Sequence, residues 1–341
     1  MAHDRTLKFD AAIAPSALNR IPALAERAED LGFSAVWTSE TQHNAFLPHA
    51  LIAEHTTRLL SGTAVAIALA RSPGDLAYSA WDLAAASGGR FLLGLGTQVK
   101  PHIERRFGMP WPDSPVGKMR EMIAAIRALW RSWQTGDRLN FRGEYFKLTL
   151  MTPFFNPGPI DHPEIPIYLA GVNTGLCRLA GEIADGFHAH PLHSARYLRE
   201  VVHPALAEGA GRVGRDASEI ALSVSAFVAT NEEERTFVRS QIAFYASTPS
   251  YRAVMALHGW QDTAEQLSGL ARKGAWDQMG GLVDDEMLAT FAVVAHPDEL
   301  GAALDERYRG LVDRLSLYRP FTLESAPGPW KALIKVLGEV D

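Results

Sequence analysis

A carboxylate and an imidazole stand close together after the second predicted strand. Glu40 follows directly on residues 35–39, and His43 lies three positions later. In a parallel α/β fold the carboxyl ends of the strands form the face that binds ligands. Both side chains can carry protons, so we predict Glu40 or His43 as the acid/base group of a reaction. A helix amino-terminal acid and a structural histidine are the alternative interpretations.

A second candidate site is the turn that follows the fifth predicted strand. Gly171 permits a sharp turn, and Asn173 or Thr174 can cap the helix that runs over residues 176–184. The free backbone N–H groups of such a helix start suit a phosphate. The turn lacks both the lysine of a P-loop and the glycine triad of dinucleotide-binding proteins. An ordinary strand-to-helix turn is the alternative.

Two histidines alternate along the sixth predicted strand, residues 186–191. His188 and His190 therefore share one face, which we expect to point toward the ligand-binding end. With His193 nearby, a metal-dependent hydrolase is one alternative. Metal-dependent barrels generally add carboxylates or a lysine at other strand ends, and no His-x-His follows the first strand here, so we expect no metal. Contacts with a cofactor or a polar substrate are the preferred roles, and packing is the main competitor.

Eight strand-like segments, most of them separated by helical patterns, position these residues. The segments are residues 7–14, 35–39, 62–70, 90–96, 165–171, 186–191, 221–229 and 313–318. This alternation predicts an α/β fold, a (β/α)8 TIM barrel that forms a single domain over residues 1–341. Two long excursions, at about 97–164 and 231–312, are expected as insertions on the ligand-binding face.

The fourth of these segments is bounded by glycines. Gly88 is expected to end the preceding helix as a left-handed cap. The apolar run after it is typical of a strand covered on both faces, and Gly94 and Gly96 leave little side chain at its carboxyl end. Thr97 and Gln98 follow immediately and offer a hydroxyl and an amide to a ligand.

The composition excludes several classes of function. The 341 residues are 47% hydrophobic and carry a net charge of −6, which gives no footprint for nucleic acid or an anionic membrane. Cys177 is the single cysteine, so an internal disulfide is excluded. The stretch from Met1 to Asp10 contains no apolar signal segment, and no run is long enough to span a membrane. We expect a cytoplasmic protein that acts on a small molecule.

Six segments, in this order, resemble the bacterial luciferase-like superfamily. They are GFSAVWTSE, SGTAVAIALARSP, SGGRFLLGLGTQ, ERRFGMP, IPIYLAGVNTG and IADGFHAH. That superfamily comprises FMN-dependent monooxygenases and relatives that use the deazaflavin coenzyme F-420, on a (β/α)8 barrel with an insertion region. The segments HIERRFGMPW and NFRGEYF look most similar to the actinobacterial F-420-dependent branch.

The resemblance implies roles for particular residues. In this family the third strand carries a bulge with a non-prolyl cis peptide behind the cofactor ring, here near Thr63-Ala64 or Ala64-Val65. Thr97 and Gln98 would contact the pyrimidine edge or the ribityl chain. The expected cofactor-binding residues are Thr63, Ala64, Thr97, Gln98, Gly171, Val172, Asn173, Thr174 and His190.

The chain also departs from the family's pattern. Thr41 stands where a catalytic histidine usually follows the acid, and Val99 stands near the position of a frequent glutamate. His102 and Glu104 are substitutes if their loop folds inward. The proton donor therefore stays open between the two candidates named above. For the substrate pocket we expect Trp37, Trp111 and His188.

The resemblance implies an oxidoreductase that transfers a hydride between coenzyme F-420 and a small organic substrate. An FMN-dependent monooxygenase that uses dioxygen and a reductase partner is the alternative within the same fold. A flavin-binding protein without catalysis is the alternative from another class. A homodimer is expected, since members of the family commonly dimerise.

Overall fold

Eight parallel strands form a closed barrel in the computed structural model, which describes residues 7–14 and 16–338. The first six residues of the stretch from Met1 to Asp10 lie outside the described part. The strands are β1 Lys8–Ile13, β2 Ala35–Thr38, β3 Leu60–Thr63, β4 Phe91–Gly96, β5 Ile167–Gly171, β6 Gly186–Ala189, β7 Ala221–Ala229 and β8 Arg314–Leu317. Each of these strands pairs with the next one along the chain, and β8 also pairs with β1, so the barrel is closed. The predicted (β/α)8 barrel is confirmed.

A buried ion pair joins the first strand to the last. Nε and Nη2 of Arg314 each donate to a carboxylate oxygen of Asp10 at 2.7 Å. The indole N–H of Trp37 donates to the same carboxylate at 2.8 Å. Asp10 is 1% exposed and Arg314 is 3% exposed. Removal of either partner would leave an uncompensated charge inside the protein, so the pair fixes the seam of the barrel.

Helices cover the outside of the barrel and build the insertions. They are α1 Ile21–Leu31, α2 Leu47–His55, α3 Pro73–Ser87, α4 Lys100–Arg105, α5 Pro115–Thr135, α6 Thr174–Ile183, α7 His203–Arg212, α8 Glu232–Ala246, α9 Arg252–Leu257, α10 Gln261–Lys273, α11 Trp276–Met279, α12 Asp285–Phe291, α13 Leu300–Tyr308 and α14 Pro327–Gly338. Gly88 ends α3 at φ 62°, which confirms the expected left-handed cap. No helix in the described ranges is long and apolar enough to cross a membrane.

The first insertion contains a two-stranded hairpin. Phe141–Arg142 pairs antiparallel with Lys147–Leu148. The carboxylate of Glu121 on α5 accepts the backbone N–H groups of Tyr145 and Phe146, which ties the hairpin to the helix layer. The second insertion contains α8 to α13.

Within the second insertion, α12 is followed by a short strand that was not predicted from the sequence. Ala292–Val294 pairs in parallel with the last three residues of β7, beyond the part of β7 that pairs with β6. A three-residue strand that directly follows a helix is too short for a periodic pattern.

Candidate functional site

A one-residue bulge interrupts the third strand at the mouth of the barrel, which is the end formed by the carboxyl ends of the strands. Gly62 pairs with Leu92, and Ala66 pairs with Leu95. Between these two pairs the third strand therefore contains one more residue than β4. The peptide bond Ala64-Val65 within the bulge is cis, at one of the two positions that the resemblance implied. The uninterrupted strand predicted over residues 62–70 is therefore wrong. The chain leaves the bulge through the short strand Ala66–Ile67 and then forms a 3-10 turn.

Thr63 supports the bulge from inside the protein. Its hydroxyl donates to the carbonyl of Gly94 at 2.6 Å and accepts the N–H of the same residue at 3.0 Å. Thr63 is fully buried, so its side chain braces β4 in place of the direct cofactor contact expected from the sequence. Ala64 and Val65 remain partly exposed and present a small apolar surface at the mouth.

The glycines of β4 are required by the close approach of the bulge. A Cβ atom on Gly94 would lie 1.7 Å from the backbone oxygen of Thr63. A Cβ atom on Gly96 would lie 2.6 Å from Cγ2 of Val65. Side chains at these two positions would push the bulge away, so the glycines let β3 and β4 meet at the mouth.

Glu40 anchors the chain that leaves the bulge. Its two carboxylate oxygens accept Nη1 and Nη2 of Arg71 at 2.6 and 2.5 Å, and Oε2 also accepts the N–H of Ile67 at 2.7 Å. The Glu40 side chain is only 7% exposed. A carboxylate that holds three donors is suited to positioning, so of the two predicted acid/base candidates His43 is the one with an uncommitted side chain.

His43 lines a cavity of about 320 Å³ that lies between the loops following β1 and β2. The imidazole is exposed, and Asn44 is the neighbouring polar residue of the lining. Leu18 and Leu47 supply apolar surface at the same cavity. The structure thus leaves His43 accessible to a ligand from solvent.

Thr97 and Gln98 follow β4 at the same end of the barrel. Gln98 adopts φ 58°, in the left-handed region that few non-glycine residues occupy. Its Oε1 accepts the N–H of Val99 at 3.0 Å, so part of the amide folds back onto its own backbone. Thr97 is partly exposed next to it. Their contacts with a cofactor stay predictions.

The start of α6 has the features of an anion site. The side chain of Asn173 does not cap the helix, contrary to one expectation from the sequence. The N–H of Leu176 donates to the Asn173 carbonyl at 3.2 Å, which leaves the N–H groups of Thr174 and Gly175 to another acceptor. Nη1 of Arg178 donates to the Thr174 hydroxyl at 3.1 Å, which brings a guanidinium close to the helix start. The Tyr197 hydroxyl fixes the turn by donating to the carbonyl of Val172 at 3.0 Å. This arrangement fits the phosphate predicted for residues 171–174.

Trp37 and His188 lie inside the barrel and not in a substrate pocket at its mouth. The two rings meet edge to face with centroids 4.7 Å apart, and Tyr168 contacts both. Burial, and next to it the charge of Arg314, lowers the pKa of His188 to about 3. Both residues are at most 9% exposed. The expected substrate role of these two residues is corrected to packing within the barrel.

His190 lies in an aromatic cluster at the mouth. Its ring stacks on Tyr251 at 4.3 Å and meets the edge of Tyr245 at 4.5 Å. The hydroxyl of Tyr245 lies 2.6 Å from that of Tyr318, the residue that follows β8. All four residues are partly exposed. We name this group, His190, Tyr245, Tyr251 and Tyr318, the tyrosine wall.

The three tyrosines of the wall were not predicted from the sequence. Tyr318 closes the eighth predicted strand, and its place at a strand end was a usable signal. Tyr245 and Tyr251 belong to the second insertion, where no sequence pattern shows which side chains turn toward the barrel.

The remaining predicted residues do not join these groups. Trp111 is partly buried and packs against the hydrophobic core. Among residues 7–14 and 16–338 no three His, Cys, Asp or Glu side chains lie close enough together to hold a metal ion. The mouth therefore has two parts. One is formed by the bulge, the end of β4 and the start of α6, and the other is the tyrosine wall.

Comparisons with known proteins agree with this geometry. The profile of the family described as luciferase-like monooxygenase matches residues 6–314. The uncharacterized protein Rv1360 of Mycobacterium tuberculosis is 46% identical over 321 residues, which cover 92% of this chain and 94% of that protein. An F-420-dependent glucose-6-phosphate dehydrogenase of Beutenbergia cavernae is 32% identical over 210 residues, 58% of this chain and 60% of that protein.

A solved structure shares the fold over nearly the whole chain. The coenzyme F-420-dependent tetrahydromethanopterin reductase from Methanopyrus kandleri superposes with a TM-score of 0.76 at 22% sequence identity. The match covers 98% of this chain and 97% of the reductase.

Proposed function

The chain belongs to the luciferase-like monooxygenase family, and from this premise we propose that it transfers a hydride between coenzyme F-420 and a small organic substrate. The observation that carries the proposal is the bulge at Ala64-Val65, which faces the mouth beside glycines that admit no side chain. A flat, largely apolar support of this kind fits one face of a tricyclic ring. The 32% identical relative that uses F-420 supports this cofactor over FMN.

The residues of the mouth would divide the binding of the cofactor among them. Ala64 and Val65 would lie behind the ring, and Thr97 and Gln98 would face its pyrimidine edge or ribityl chain. The first-turn N–H groups of α6, with Gly171 to Thr174 and the nearby Arg178, would hold the phosphate. When bound, the deazaflavin supplies C5 as the donor or acceptor of the hydride.

The residues of the protein itself would orient the cofactor and the substrate and would transfer a proton. Glu40 and Arg71 keep the bulge in place, so the ring support is set before ligands arrive. His43 is accessible to solvent and can give a proton to, or take one from, the substrate oxygen. The aromatic side chains of the tyrosine wall would form the other part of the mouth.

Fluorescence titration with F-420 and, in parallel, with FMN tests the proposal. We expect saturable quenching of F-420 with one site per chain, and weaker binding of FMN. Native mass spectrometry of the same samples reports the stoichiometry and checks the expected homodimer. Retention of FMN without affinity for F-420 would refute the proposal in favour of a monooxygenase that needs a reductase partner.

A matched variant separates catalysis from binding alone. His43→Gln should keep the F-420 affinity and lower turnover about a hundredfold, the lower range for loss of a general acid or base. Full turnover by His43→Gln would remove His43 from the mechanism. A wild-type protein that binds F-420 but reduces none of a broad panel of substrates would favour the non-catalytic flavin-binding alternative.

A further inference from the structure

The tyrosine wall contains a short chain of hydrogen bonds that ends at the mouth. The Tyr318 hydroxyl donates to Oε1 of Gln241 at 3.3 Å and lies 2.6 Å from the Tyr245 hydroxyl. With that polarity Tyr245 donates to Tyr318, and a lone pair of the Tyr245 oxygen stays available to accept a hydrogen bond. The ring of Tyr251 meets that of Tyr245 edge to face at 5.9 Å and extends the same surface.

The donor and acceptor roles along this chain of hydrogen bonds can be exchanged with little movement of any heavy atom. A flip of the Gln241 amide presents N–H in place of C=O to Tyr318. Tyr318 then donates to Tyr245, and the Tyr245 O–H becomes free to donate outward. The same end of the chain therefore accepts from a hydroxyl in one state and donates to a carbonyl in the other. A hydroxyl and a carbonyl are the two functional groups that removal or addition of a hydride and a proton interconverts.

Among the residues that the structure describes, no lysine or arginine hydrogen-bonds to the four side chains of the wall. Arg319, the residue after Tyr318, is paired with Glu234. The cation–π contacts in the described ranges fall on the rings of Phe46, Phe107, Phe146 and Trp37, and none falls on the wall. Burial raises the pKa of Tyr251 to about 12 and lowers that of His190 to about 3, so both stay uncharged at neutral pH. A phosphate or carboxylate would lose its hydration here without an opposite charge in return.

On the basis of the proposed function, we propose that the tyrosine wall is the substrate-recognition surface and that it takes an uncharged alcohol or its carbonyl partner through the Tyr245–Tyr318 pair. His190 and Tyr251 supply the apolar and aromatic faces that hold the carbon skeleton of the substrate. A phosphorylated or carboxylated substrate is rejected.

Binding to the cofactor-loaded protein tests the inference without turnover. The probes are cyclohexanol, cyclohexanone and cyclohexyl phosphate, followed by saturation-transfer NMR. We expect transfer to the alcohol and the ketone and none to the phosphate. Tyr245→Phe and Tyr318→Phe should each weaken both neutral probes about tenfold, since each removes one hydrogen bond of the chain. The matched control Tyr78→Phe removes a hydroxyl that donates to the Phe155 carbonyl in the first insertion, and it should leave binding unchanged.

Further measurements keep the result interpretable. Circular dichroism of each variant establishes that it folds, and F-420 titration reports the cofactor site separately. Normal F-420 binding with preferential binding of the phosphate probe overturns the inference and leaves the proposed function standing. Unaltered binding of the neutral probes by both Tyr245→Phe and Tyr318→Phe also overturns the inference and leaves the proposed function standing. Loss of F-420 binding by the wild-type protein overturns the proposed function instead.

Discussion

Glu40 and Arg71 form a two-pronged ion pair that joins the end of β2 to the chain emerging from the bulge in β3. The same carboxylate accepts the N–H of Ile67, two residues beyond the cis peptide. The pair therefore determines where the small surface of Ala64 and Val65 lies in the mouth. If that surface supports a cofactor, removal of the Glu40–Arg71 ion pair should lower the affinity for the cofactor.

Glu40→Gln tests this coupling. We expect about 1.5–3 kcal/mol of lost stability, since hydrogen bonds to a charged group are removed. We also expect F-420 affinity to fall at least tenfold, measured by fluorescence titration beside thermal unfolding. The matched control is Glu182→Gln, because Glu182 is also 7% exposed and pairs with two arginines, but at the far end of α6. Equal affinities in the two variants would mean that Glu40 has only a structural role.

Gly94→Ala should destabilise the protein strongly. The added Cβ would stand 1.7 Å from the backbone oxygen of Thr63, so the bulge has to move. We expect a loss of about 2 kcal/mol or more in the free energy of unfolding, measured in urea. Gly269→Ala in α10 is the comparison, because nothing lies within 4 Å of its Cβ position. There we expect a gain of about 0.5–1 kcal/mol. Similar values for the two variants would contradict the close approach of β3 and β4.

Thr174→Glu should change stability and cofactor binding in opposite directions. A negative charge in the first turn of α6 interacts favourably with the helix dipole, by about 0.3–1 kcal/mol. The same charge occupies the place predicted for the cofactor phosphate, so F-420 affinity should fall more than tenfold. The neutral Thr174→Gln separates charge from size. If F-420 bound to Thr174→Glu as tightly as to the wild type, the phosphate would have to lie elsewhere.

The protein should lose stability as the pH falls below neutrality. Burial is the first cause that lowers the pKa of His49, His188 and His190 to about 3 and that of His193 to about 4, from an ordinary value near 6.5. Between these values the unfolded chain binds protons that the folded protein does not. The stability is therefore fully present above pH 6.5 and falls toward pH 4, by roughly 1.4 kcal/mol per proton per pH unit.

Urea unfolding at pH 7, 6 and 5 measures that slope. His193→Gln should reduce the proton uptake on unfolding by about one at pH 5, because one buried neutral imidazole is gone. His49→Gln should also reduce this proton uptake, because it removes a second buried imidazole, whose Nε2 lies 2.8 Å from the hydroxyl of Thr38 at the end of β2. A slope that neither substitution changes would show that other groups cause the acid sensitivity.

Local sequence patterns were enough to predict most of the barrel. The eight strands alternate with helices whose ends carry strong signals, such as Gly88. Seven of the barrel strands lie within a predicted segment, and β3 begins two residues before the segment predicted for it. The predicted third strand failed at Ala64-Val65, because its interruption depends on pairing with β4 and on the anchor at Glu40. Both contacts join residues far apart in the sequence, so neither produces a periodic pattern of apolar residues.

Residues of the candidate site that lie at strand ends could be predicted from the sequence. Residues whose position depends on tertiary contacts could not. Thr97 directly follows β4, Gly171 ends β5, and Asn173 lies two residues beyond β5, so the structure brings all three to the mouth. His188 also alternates correctly along its strand, but the depth of its ring inside the barrel depends on Trp37 and Tyr168. The partners of the hydroxyl pair, Tyr245 and Tyr318, are 73 residues apart in sequence, and only the folded insertion joins them.

The buried pair of Asp10 and Arg314 has a consequence for synthesis of the chain. The two residues are separated by 304 positions, so the ribosome makes the carboxylate long before its guanidinium partner. Until β8 emerges, β1 has only one of its two neighbours, and Asp10 cannot enter the barrel without an unpaired charge. Closure of the barrel must therefore follow translation of nearly the entire sequence, and nascent chains that stop before Arg314 should be substrates for chaperones and proteases.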